Sequence, residues 1–375
     1  MSTINSDLVT ERQKKISQAL AKANLDALVL NPSPSLVYFT GLHFHLSERP
    51  VVLFMPASGT PALVLPELEA QKLHNLPYPL ESFTYGEDPS QWPAVFKQAA
   101  QAAGLSAARI GVEERALRFL ELAFLKEAQP ESTFVSAGEV IAELRMYKDE
   151  DEIAAMQEAV DTAQSALEAT LPLIKIGMTE KELAAELVMQ LFRAGSGSSL
   201  PFQPIVSGGP NGANPHAVPT DRPLAAGDLL VIDFGATVSG YYSDITRTFA
   251  VGEPNEEQLK IHQTVQAANQ AARQTAKPGV TCNQVDQAAR QVIEEAGFGQ
   301  YFTHRTGHGL GLDIHEEPYI RGDNPIVLEP GMTFTIEPGI YIPQQDGVRI
   351  EDNVVITADG LRSLTTLRRE IRIVG

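Results

Sequence analysis

The chain has 375 residues, and its 29 basic and 47 acidic side chains give a formal net charge of −18 at pH 7. That length exceeds the usual size of one hydrophobic core, so we predict two domains. The acidic surplus works against binding nucleic acid or an anionic membrane, and no apolar run approaches the roughly 20 residues that span a bilayer, so we expect a cytoplasmic protein.

The N-terminal part of the chain alternates between helical and strand-like patterns. Leu8, Ile16 and Leu20 recur at helical spacing, and short apolar runs follow between turn residues. The mixture is typical of an α/β domain. The pattern predicts helices at 8–24 and 91–104 and strands at 27–30, 51–55, 62–65 and 109–112.

A polar stretch, MYKDEDE at 146–152, marks the boundary between two domains. It precedes a long helical pattern that runs through Ile153, Val160 and Leu167. We therefore predict a first domain at residues 1–146 and a second domain at residues 147–375.

The second domain contains an internal similarity. Residues 175–195 align without gaps with residues 277–297, and residues 224–235 align with residues 328–339. The period is about a hundred residues, which is too long for a solenoid repeat. We infer two related α/β halves that face each other across a pseudo-twofold axis.

Four carboxylates occupy matching places in these halves. Asp233 aligns with Glu337, and each half supplies a second acid after a short excursion, Asp244 in the first and Glu351 in the second. Four carboxylates on one axis cannot all be ionised without cations, because like charges raise one another's pKa. Two divalent ions would neutralise them, and two of the acids could bridge both ions. The pattern predicts a dinuclear metal site with imidazole as the remaining ligand.

Histidines in glycine-rich and turn-rich stretches complete the predicted site. His308 lies between glycines in GHGLG, where the backbone can approach a ligand closely, and we predict it as the fifth ligand. His216 and His315 suit hydrogen bonding to a substrate carbonyl or its tetrahedral intermediate. Arg349, close to Glu351, has two open interpretations, pairing with the acid surplus or catalysis. No supporting context predicts a role for three other histidines, His74, His262 and His304.

Four motifs resemble one known family. They occur in order over about residues 150–375 and read VIDFGATVSGYYSDITRTF, GHGLGLDIHEEP, TIEPGIYIP and GVRIEDNVVIT. The chain is thereby similar to the metallopeptidases that include aminopeptidase P, prolidase and methionine aminopeptidase, whose catalytic domain is the pita-bread fold. YFTG at 38–41 makes the first domain resemble the creatinase/prolidase N-terminal domain. The expected fold class is therefore α/β (α+β), with both of these domains.

The resemblance also implies ligands and catalytic residues. Asp244 and Glu351 would bridge two divalent ions, Asp233 would complete one site, and His308 with Glu337 would complete the other. The ions expected per chain are Mn²⁺ or Co²⁺, with Zn²⁺ or Fe²⁺ as alternatives, because affinity order alone does not decide identity. The family's catalytic roles fall on His216, His315, Glu337 and Arg349.

The implied activity is hydrolysis of Xaa-Pro bonds in small proline-containing peptides. A water activated by both ions would attack the carbonyl, and Glu337 would pass the proton to the leaving proline nitrogen. Our interpretation prefers an Xaa-Pro dipeptidase (prolidase), with an Xaa-Pro aminopeptidase (aminopeptidase P) acting on longer peptides as the alternative. A non-peptidase member, such as an amidinohydrolase, a lyase or a binding scaffold, is the alternative from another class. Family members commonly form homodimers, so a homodimer is expected.

One position departs from the pattern of the dipeptidases. A dipeptidase needs a cation near the free carboxylate of its substrate, and some prolidases have an arginine directly after the HExP motif. This sequence has Tyr319 there. Arg321 is close enough in sequence to be our substitute hypothesis.

Overall fold

The computed structural model describes residues 5–375. The chain divides into a first compact unit that ends at Arg145 and a second unit that extends from Met146 to Gly375. Over the part of the chain that the structure describes, no helix is long and apolar enough to cross a membrane.

The first unit contains a six-stranded mixed sheet in the order β4-β3-β2-β1-β5-β6. The short apolar runs form its central strands because each is buried on both faces, as the continuous burial of the first strand shows. The predicted strands at 27–30 and 109–112 are confirmed with the same bounds. The strands are β1 (Ala27–Leu30), β2 (Val52–Pro56), β3 (Ala62–Pro66), β4 (Glu81–Tyr85), β5 (Arg109–Val112) and β6 (Thr133–Ser136).

Helices alternate with most of the strands of this unit, as the predicted α/β pattern requires. The predicted helix at 8–24 is confirmed over Ser6–Lys22, and the one at 91–104 over Trp92–Ala102. The first of these helices buries Val9, Ile16 and Leu20 on one face. The helices are α1 (Ser6–Lys22), α2 (Pro34–Thr40), α3 (Trp92–Ala102), α4 (Phe119–Ala128) and α5 (Gly138–Arg145).

The second unit contains two larger sheets, in the orders β19-β11-β8-β7 and β13-β12-β14-β17-β18, and two short ribbons, β9-β10 and β15-β16. Its helices are α6 (Glu150–Thr170), α7 (Glu180–Arg193), α8 (Glu256–Thr275) and α9 (Cys282–Glu295). The strands of the first half are β7 (Ile205–Gly208), β8 (Leu229–Phe234), β9 (Thr237–Val238), β10 (Tyr241–Tyr242) and β11 (Ile245–Val251). Those that follow are β12 (Gly307–Gly309), β13 (Glu316–Ile320), β14 (Thr333–Ile336), β15 (Gly339–Tyr341), β16 (Gly347–Arg349), β17 (Asp352–Thr357), β18 (Gly360–Ser363) and β19 (Ile373–Val374).

The duplication inferred from the sequence is visible in this arrangement. Strands β7, β8 and β11 pair antiparallel in that order, and β12, β14 and β17 do the same. Helices α7 and α9 have 14 residues each, and each begins after a threonine capping box at Thr179 or Thr281. These two threonines are aligned in the repeat, so the local sequence signal and the helix start coincide in both halves.

The two halves meet through a reciprocal pair of hydrogen bonds. The backbone N–H of Asp244 donates to Oδ1 of Asn353 over 3.0 Å, and the N–H of Glu351 donates to the carbonyl of Thr246 over 3.0 Å. In the repeat, Asp244 corresponds to Glu351 and Thr246 to Asn353. Each contact is therefore the counterpart of the other, which is the signature of a twofold arrangement. This junction brings both acids to the centre of the unit.

Candidate metal centre

Asp233 lies within β8, whose six residues are all buried. One oxygen of its carboxylate, Oδ2, accepts a hydrogen bond of 2.6 Å from Nη2 of Arg349. The other oxygen, Oδ1, is buried and has no hydrogen-bond partner within the protein. An unsatisfied buried carboxylate oxygen is costly, so this atom fits a cation that the protein itself does not supply.

Three further predicted ligands converge beside it. Asp244, His308 and Glu351 are all buried, and each offers one ligand atom within 4.8 Å of the others. The ring Nε2 of His308 lies 3.6 Å from Oδ2 of Asp244 and 3.3 Å from Oε1 of Glu337. The five residues predicted as ligands therefore fall in one buried region, with Asp233 joined to it through Arg349.

The tautomer of His308 suits metal binding. Its Nδ1 lies 3.1 Å from the carbonyl oxygen of Gly309, so the proton on Nδ1 is the one donated there and Nε2 keeps its lone pair. Burial lowers the pKa of His308 well below its usual value, and the nearby His315 lowers it further. The ring is thus neutral, as a ligand must be.

The glycines around His308 are required by neighbouring strands. A Cβ on Gly307 would lie 1.9 Å from the carbonyl oxygen of Thr335, and one on Gly309 would lie 2.3 Å from that of Glu317. The sequence suggested that these glycines allow a close approach to a ligand. The structure shows that they instead let β12 fit between β13 and β14, which fixes His308 in the interior.

The carboxylates of the centre repel one another. Burial raises the pKa values of Asp244 and Glu351 well above their usual range, and the neighbouring acids raise both further. The pKa of Glu337 rises to about 7, chiefly through burial, with the positive charge of Arg349 opposing the shift. Arg349 opposes the shifts of all three acids, but one guanidinium does not balance four carboxylates, so the region carries a negative surplus that divalent ions would neutralise.

Arg349 organises a chain of hydrogen bonds behind the acids. Its Nη1 donates to the hydroxyl of Tyr341 over 2.8 Å, and that hydroxyl lies 2.8 Å from Nε2 of His304. Nδ1 of His304 in turn lies 2.7 Å from the carbonyl oxygen of Arg305. Desolvation lowers the pKa of His304 to about 4, so the neutral ring accepts from the tyrosine hydroxyl and donates to the carbonyl.

His315 and His216 lie on the accessible side of the centre. The ring of His315 packs edge-on against His308, with 4.2 Å between ring centroids. Desolvation lowers the pKa of His315, and the charges of Arg305 and His216 lower it further, so the two histidine rings share a neighbourhood. His216 is exposed on the loop after β7, where its backbone N–H donates to Oδ1 of Asn214 over 3.1 Å.

One buried carboxylate holds the loop that carries His216. Glu180, the first residue of α7, is fully buried, and its Oε1 accepts from the N–H of Gly208 over 2.8 Å. Its Oε2 accepts from the side chain of Asn211 over 2.8 Å and from both the N–H and the hydroxyl of Thr220, over 2.8 and 2.6 Å. Glu180 therefore binds both ends of the 208–220 loop.

The donor set fits a divalent metal. The centre combines oxygen donors with a single imidazole, and these are the ligand types that Mn²⁺, Co²⁺, Fe²⁺ and Zn²⁺ accept in proteins. It also leaves Oδ1 of Asp233 without a partner while three acids have raised pKa values. A buried centre of this composition defines a metal-dependent enzyme better than a structural salt-bridge network, which would provide more cationic side chains.

The comparison with known proteins identifies the family. Residues 154–358 match the model of metallopeptidase family M24, and residues 12–147 match the creatinase/prolidase N-terminal domain. The chain belongs to metallopeptidase family M24, so it is a metallopeptidase with the predicted pita-bread fold and two-domain α/β architecture. Divalent metals are the cofactors of this family.

Similar proteins cover nearly the whole chain. A probable dipeptidase PepE of Mycobacterium tuberculosis is 39% identical over 99% of this chain and 98% of its own length. An Xaa-Pro dipeptidase of Pyrococcus horikoshii is 36% identical over 97% of this chain and 99% of its own length. The crystal structure of a dipeptidase from Pyrococcus horikoshii superposes with a TM-score of 0.91, at 39% identity, covering 97% of this chain and all of the other.

Sequence reasoning missed several members of the centre. His304 and Tyr341 contact the Arg349 network, although neither was predicted to do so. The hydroxyl of Thr246 donates to Glu351 over 2.6 Å and accepts from Nε of Arg349. The spacing of His304 four residues before His308 was the available signal, but without the position of the tyrosine it predicts nothing.

Cys282, the only cysteine, opens α9 and is buried, and burial raises its pKa to about 12, which suits a packing role.

Proposed function

We propose that this protein is a metal-dependent Xaa-Pro dipeptidase that uses two divalent ions per chain. The observation that carries the proposal is the buried cluster of Asp244, His308 and Glu351 at the junction of the duplicated halves. The Xaa-Pro dipeptidase of Pyrococcus horikoshii, similar along almost the whole chain, supports the substrate class. The substrates would be small peptides with proline in the second position.

We assign the ligands as the family resemblance implies. Asp244 and Glu351 would hold both ions, which agrees with their equivalent places at the twofold junction. Asp233 would hold one of the ions, and His308 and Glu337 would hold the other. The carboxylate-rich set with one imidazole favours Mn²⁺ or Co²⁺, with Zn²⁺ or Fe²⁺ as alternatives.

The side chains of the centre divide the chemistry among them. When bound, divalent ions supply Lewis acidity that polarises the scissile carbonyl and lowers the pKa of a water molecule. Glu337 would take a proton from the attacking water and pass it to the leaving proline nitrogen, the role that the family resemblance implies for it. His216 and His315 donate hydrogen bonds to the carbonyl oxygen as negative charge develops on it. Arg349 fixes the carboxylate of Asp233 through the bond from Nη2.

The choice between a dipeptidase and an aminopeptidase P decides the first experiment. The purified protein is assayed in added Mn²⁺ with an Xaa-Pro dipeptide and with the matching Xaa-Pro-Yaa tripeptide. We expect the dipeptide to be cleaved with the higher kcat/KM. Faster cleavage of the tripeptide would assign the protein to aminopeptidase P, and cleavage of neither would point to another amide hydrolase or a lyase.

Metal analysis of the same preparation provides the second test. We expect the protein to take up about two equivalents of Mn²⁺ or Co²⁺ per chain. A protein that takes up no Mn²⁺, Co²⁺ or Zn²⁺ would remove the metal-dependent mechanism, whatever substrates it cleaves.

We further propose a homodimer and a domain division after residue 146. The family resemblance supports the dimer. The two family matches, of which one ends at residue 147 and the other starts at residue 154, support the division. Sedimentation equilibrium at a mass near 81 kDa, twice the 40.7 kDa of the chain, would agree with the dimer, and a mass near that of one chain would contradict it.

A further inference from the structure

A dipeptide substrate places a free carboxylate one residue beyond the bond that is cleaved. This inference rests on the proposed function and asks which side chain receives that carboxylate. An anion beside a centre that already holds four acids needs a cation of its own, because the acids repel it. A guanidinium is the best partner, since its two parallel N–H donors match the two oxygens of a carboxylate.

The arginine suggested by the sequence does not meet this requirement. Arg321 is largely exposed, and its Nε forms an ion pair of 2.9 Å with Oδ1 of Asp323. Its guanidinium carbon lies 6.0 Å from the ring centroid of Tyr319, at the edge of the range for a cation over a ring. Arg321 is therefore already paired and directed toward solvent.

Arg305 is the better-placed cation. Its guanidinium carbon lies 4.6 Å from the ring centroid of Tyr319, and the residue is partly buried. Within residues 5–375 its side chain forms no ion pair with a carboxylate and no hydrogen bond. Tyr319 thus provides a platform that holds the guanidinium while its N–H groups remain available to a ligand.

The backbone places Arg305 beside the reacting groups. Its carbonyl oxygen lies 2.7 Å from Nδ1 of His304, and the carbonyl of the next residue, Thr306, accepts from the N–H of Glu337 over 2.8 Å. The positive charge of Arg305 also interacts electrostatically with His315 and Glu337, so it lies within the same site. Arg305 therefore borders both a substrate-facing histidine and the proposed proton carrier.

We propose that Arg305, stacked on Tyr319, binds the free carboxylate of an Xaa-Pro dipeptide and is the residue that selects dipeptides over longer chains. Tyr319, directly after the HExP motif, is then part of the carboxylate-binding site, because its ring supports Arg305, which comes from another segment of the chain. A peptide extended beyond proline lacks a carboxylate at this place and loses the paired hydrogen bonds.

The test compares two substrates that differ only in this charge. Wild-type protein, Arg305→Gln and Arg305→Lys are assayed in Mn²⁺ with an Xaa-Pro dipeptide and with the same dipeptide as its C-terminal amide. We expect Arg305→Gln to lower kcat/KM for the dipeptide about 10- to 100-fold, mostly through KM, and to leave the amide nearly unchanged. Arg305→Lys keeps the positive charge but lacks the paired N–H donors of a guanidinium. Its kcat/KM for the dipeptide should lie between those of the wild-type protein and Arg305→Gln.

Two further variants decide between explanations. Arg193→Gln removes an exposed arginine on α7 and should leave kcat/KM unchanged for both substrates. Arg321→Gln tests the other cation near Tyr319. The proposal would be overturned if kcat/KM for the dipeptide fell selectively in Arg321→Gln and did not change in Arg305→Gln. An equal loss of both substrates in Arg305→Gln would also overturn it, since the residue would then act on the centre and not on the carboxylate.

A binding measurement separates this proposal from the proposed function. Calorimetric titration of the Mn²⁺-loaded protein with L-proline and with prolinamide measures carboxylate recognition without turnover. We expect wild-type protein to prefer L-proline about 10- to 100-fold and Arg305→Gln to lose the preference. If no Xaa-Pro bond is cleaved but this preference follows Arg305, the proposed activity fails while the carboxylate site stands. If activity is present and wild-type protein shows no preference, the carboxylate site fails alone.

Discussion

The two halves of the second unit share one strand order but present their histidines differently. In the first half, His216 is exposed on the 208–220 loop, and Glu180 accepts four hydrogen bonds from the two ends of that loop. In the second half, His308 is buried in β12, between two neighbouring strands. The backbone N–H of His308 donates to the hydroxyl of Thr335 over 3.1 Å.

This difference shows how a duplicated fold acquires two kinds of histidine. A residue within a paired strand is fixed by the sheet on both sides, which suits a ligand whose position must not change. A residue on a loop anchored only at its ends keeps access to solvent, which suits a contact with substrate. The carboxylates remain common to both halves, and the four predictions that follow test this comparison.

The largest effect is expected at the acids that the halves share. Asp244→Asn removes a charge from the predicted bridge, so we expect turnover to fall by at least about 10³-fold and metal content to drop. Turnover assays and elemental analysis of the purified variant measure both. Asp221→Asn, which changes an exposed carboxylate in the same unit, is the matched control and should retain both properties. Unchanged metal content in Asp244→Asn would remove the bridging assignment.

The second prediction concerns the two histidines themselves. His308→Ala should lose bound metal together with activity, because a ligand is removed from the centre. His216→Ala should keep the metal and lose turnover by about 10²-fold, because only a contact to developing charge is removed. Parallel metal analysis and steady-state kinetics distinguish the two outcomes. Equal metal loss in both variants would show that the halves do not differ in the way described above.

A smaller effect is expected at the anchor of the His216 loop. All four groups that hydrogen-bond to the carboxylate of Glu180 are donors, so Glu180→Gln places an N–H where an acceptor is needed. We expect a stability loss of about 1–3 kcal/mol from donors left unpaired and a drop in kcat of up to about 10²-fold from displacement of His216. Chemical denaturation and kinetics measure the two effects.

The control for the anchor uses the same helix turn. Glu182→Gln retains the capping box with Thr179 and should leave both kcat and the hydrogen-exchange protection of the 208–220 loop unchanged. Hydrogen exchange of the 208–220 segment should increase in Glu180→Gln alone. If the drop in kcat persists unchanged in a His216→Ala background, Glu180 acts on some other part of the site.

The smallest expected effect is a difference in acid sensitivity between the helices that pack against the two halves. Helix α6 contains no histidine, whereas α8 buries His262, whose pKa is lowered to about 4 by desolvation and by the charge of Arg247. The unfolded chain therefore binds the extra proton between about pH 6.5 and 4, so this residue contributes stability at neutral pH that is lost as pH falls through that range. We expect about 2 kcal/mol of this acid sensitivity to disappear in His262→Gln. Urea denaturation of metal-free protein at pH 7 and pH 4.5 measures the change, and an identical pH dependence in both proteins would contradict it.

The strands and helices that sequence predicted best are those in which local pattern and burial agree. The run ALVL at 27–30 is apolar throughout and is buried throughout in β1. The strand that carries Asp233 is apolar apart from that acid, and all of β8 is buried. Thr179 and Thr281, which the repeat aligns, each precede a helix at a capping box. In each case the determinant lies within a few residues of the element itself.

The sequence alone predicted the duplication and the four acids from repeated spacing, and it predicted His308 from its place between glycines. Only the tertiary structure decided that His304 joins the Arg349 network through Tyr341 and that Glu180 binds the His216 loop. It also decided that Arg305 lies closer than Arg321 to the ring of Tyr319 and, within residues 5–375, forms no ion pair with an acid. The physical reason is that these contacts join side chains from separate segments of the chain. Their hydrogen bonds and charges depend on distances that only the packing of the sheets and loops establishes.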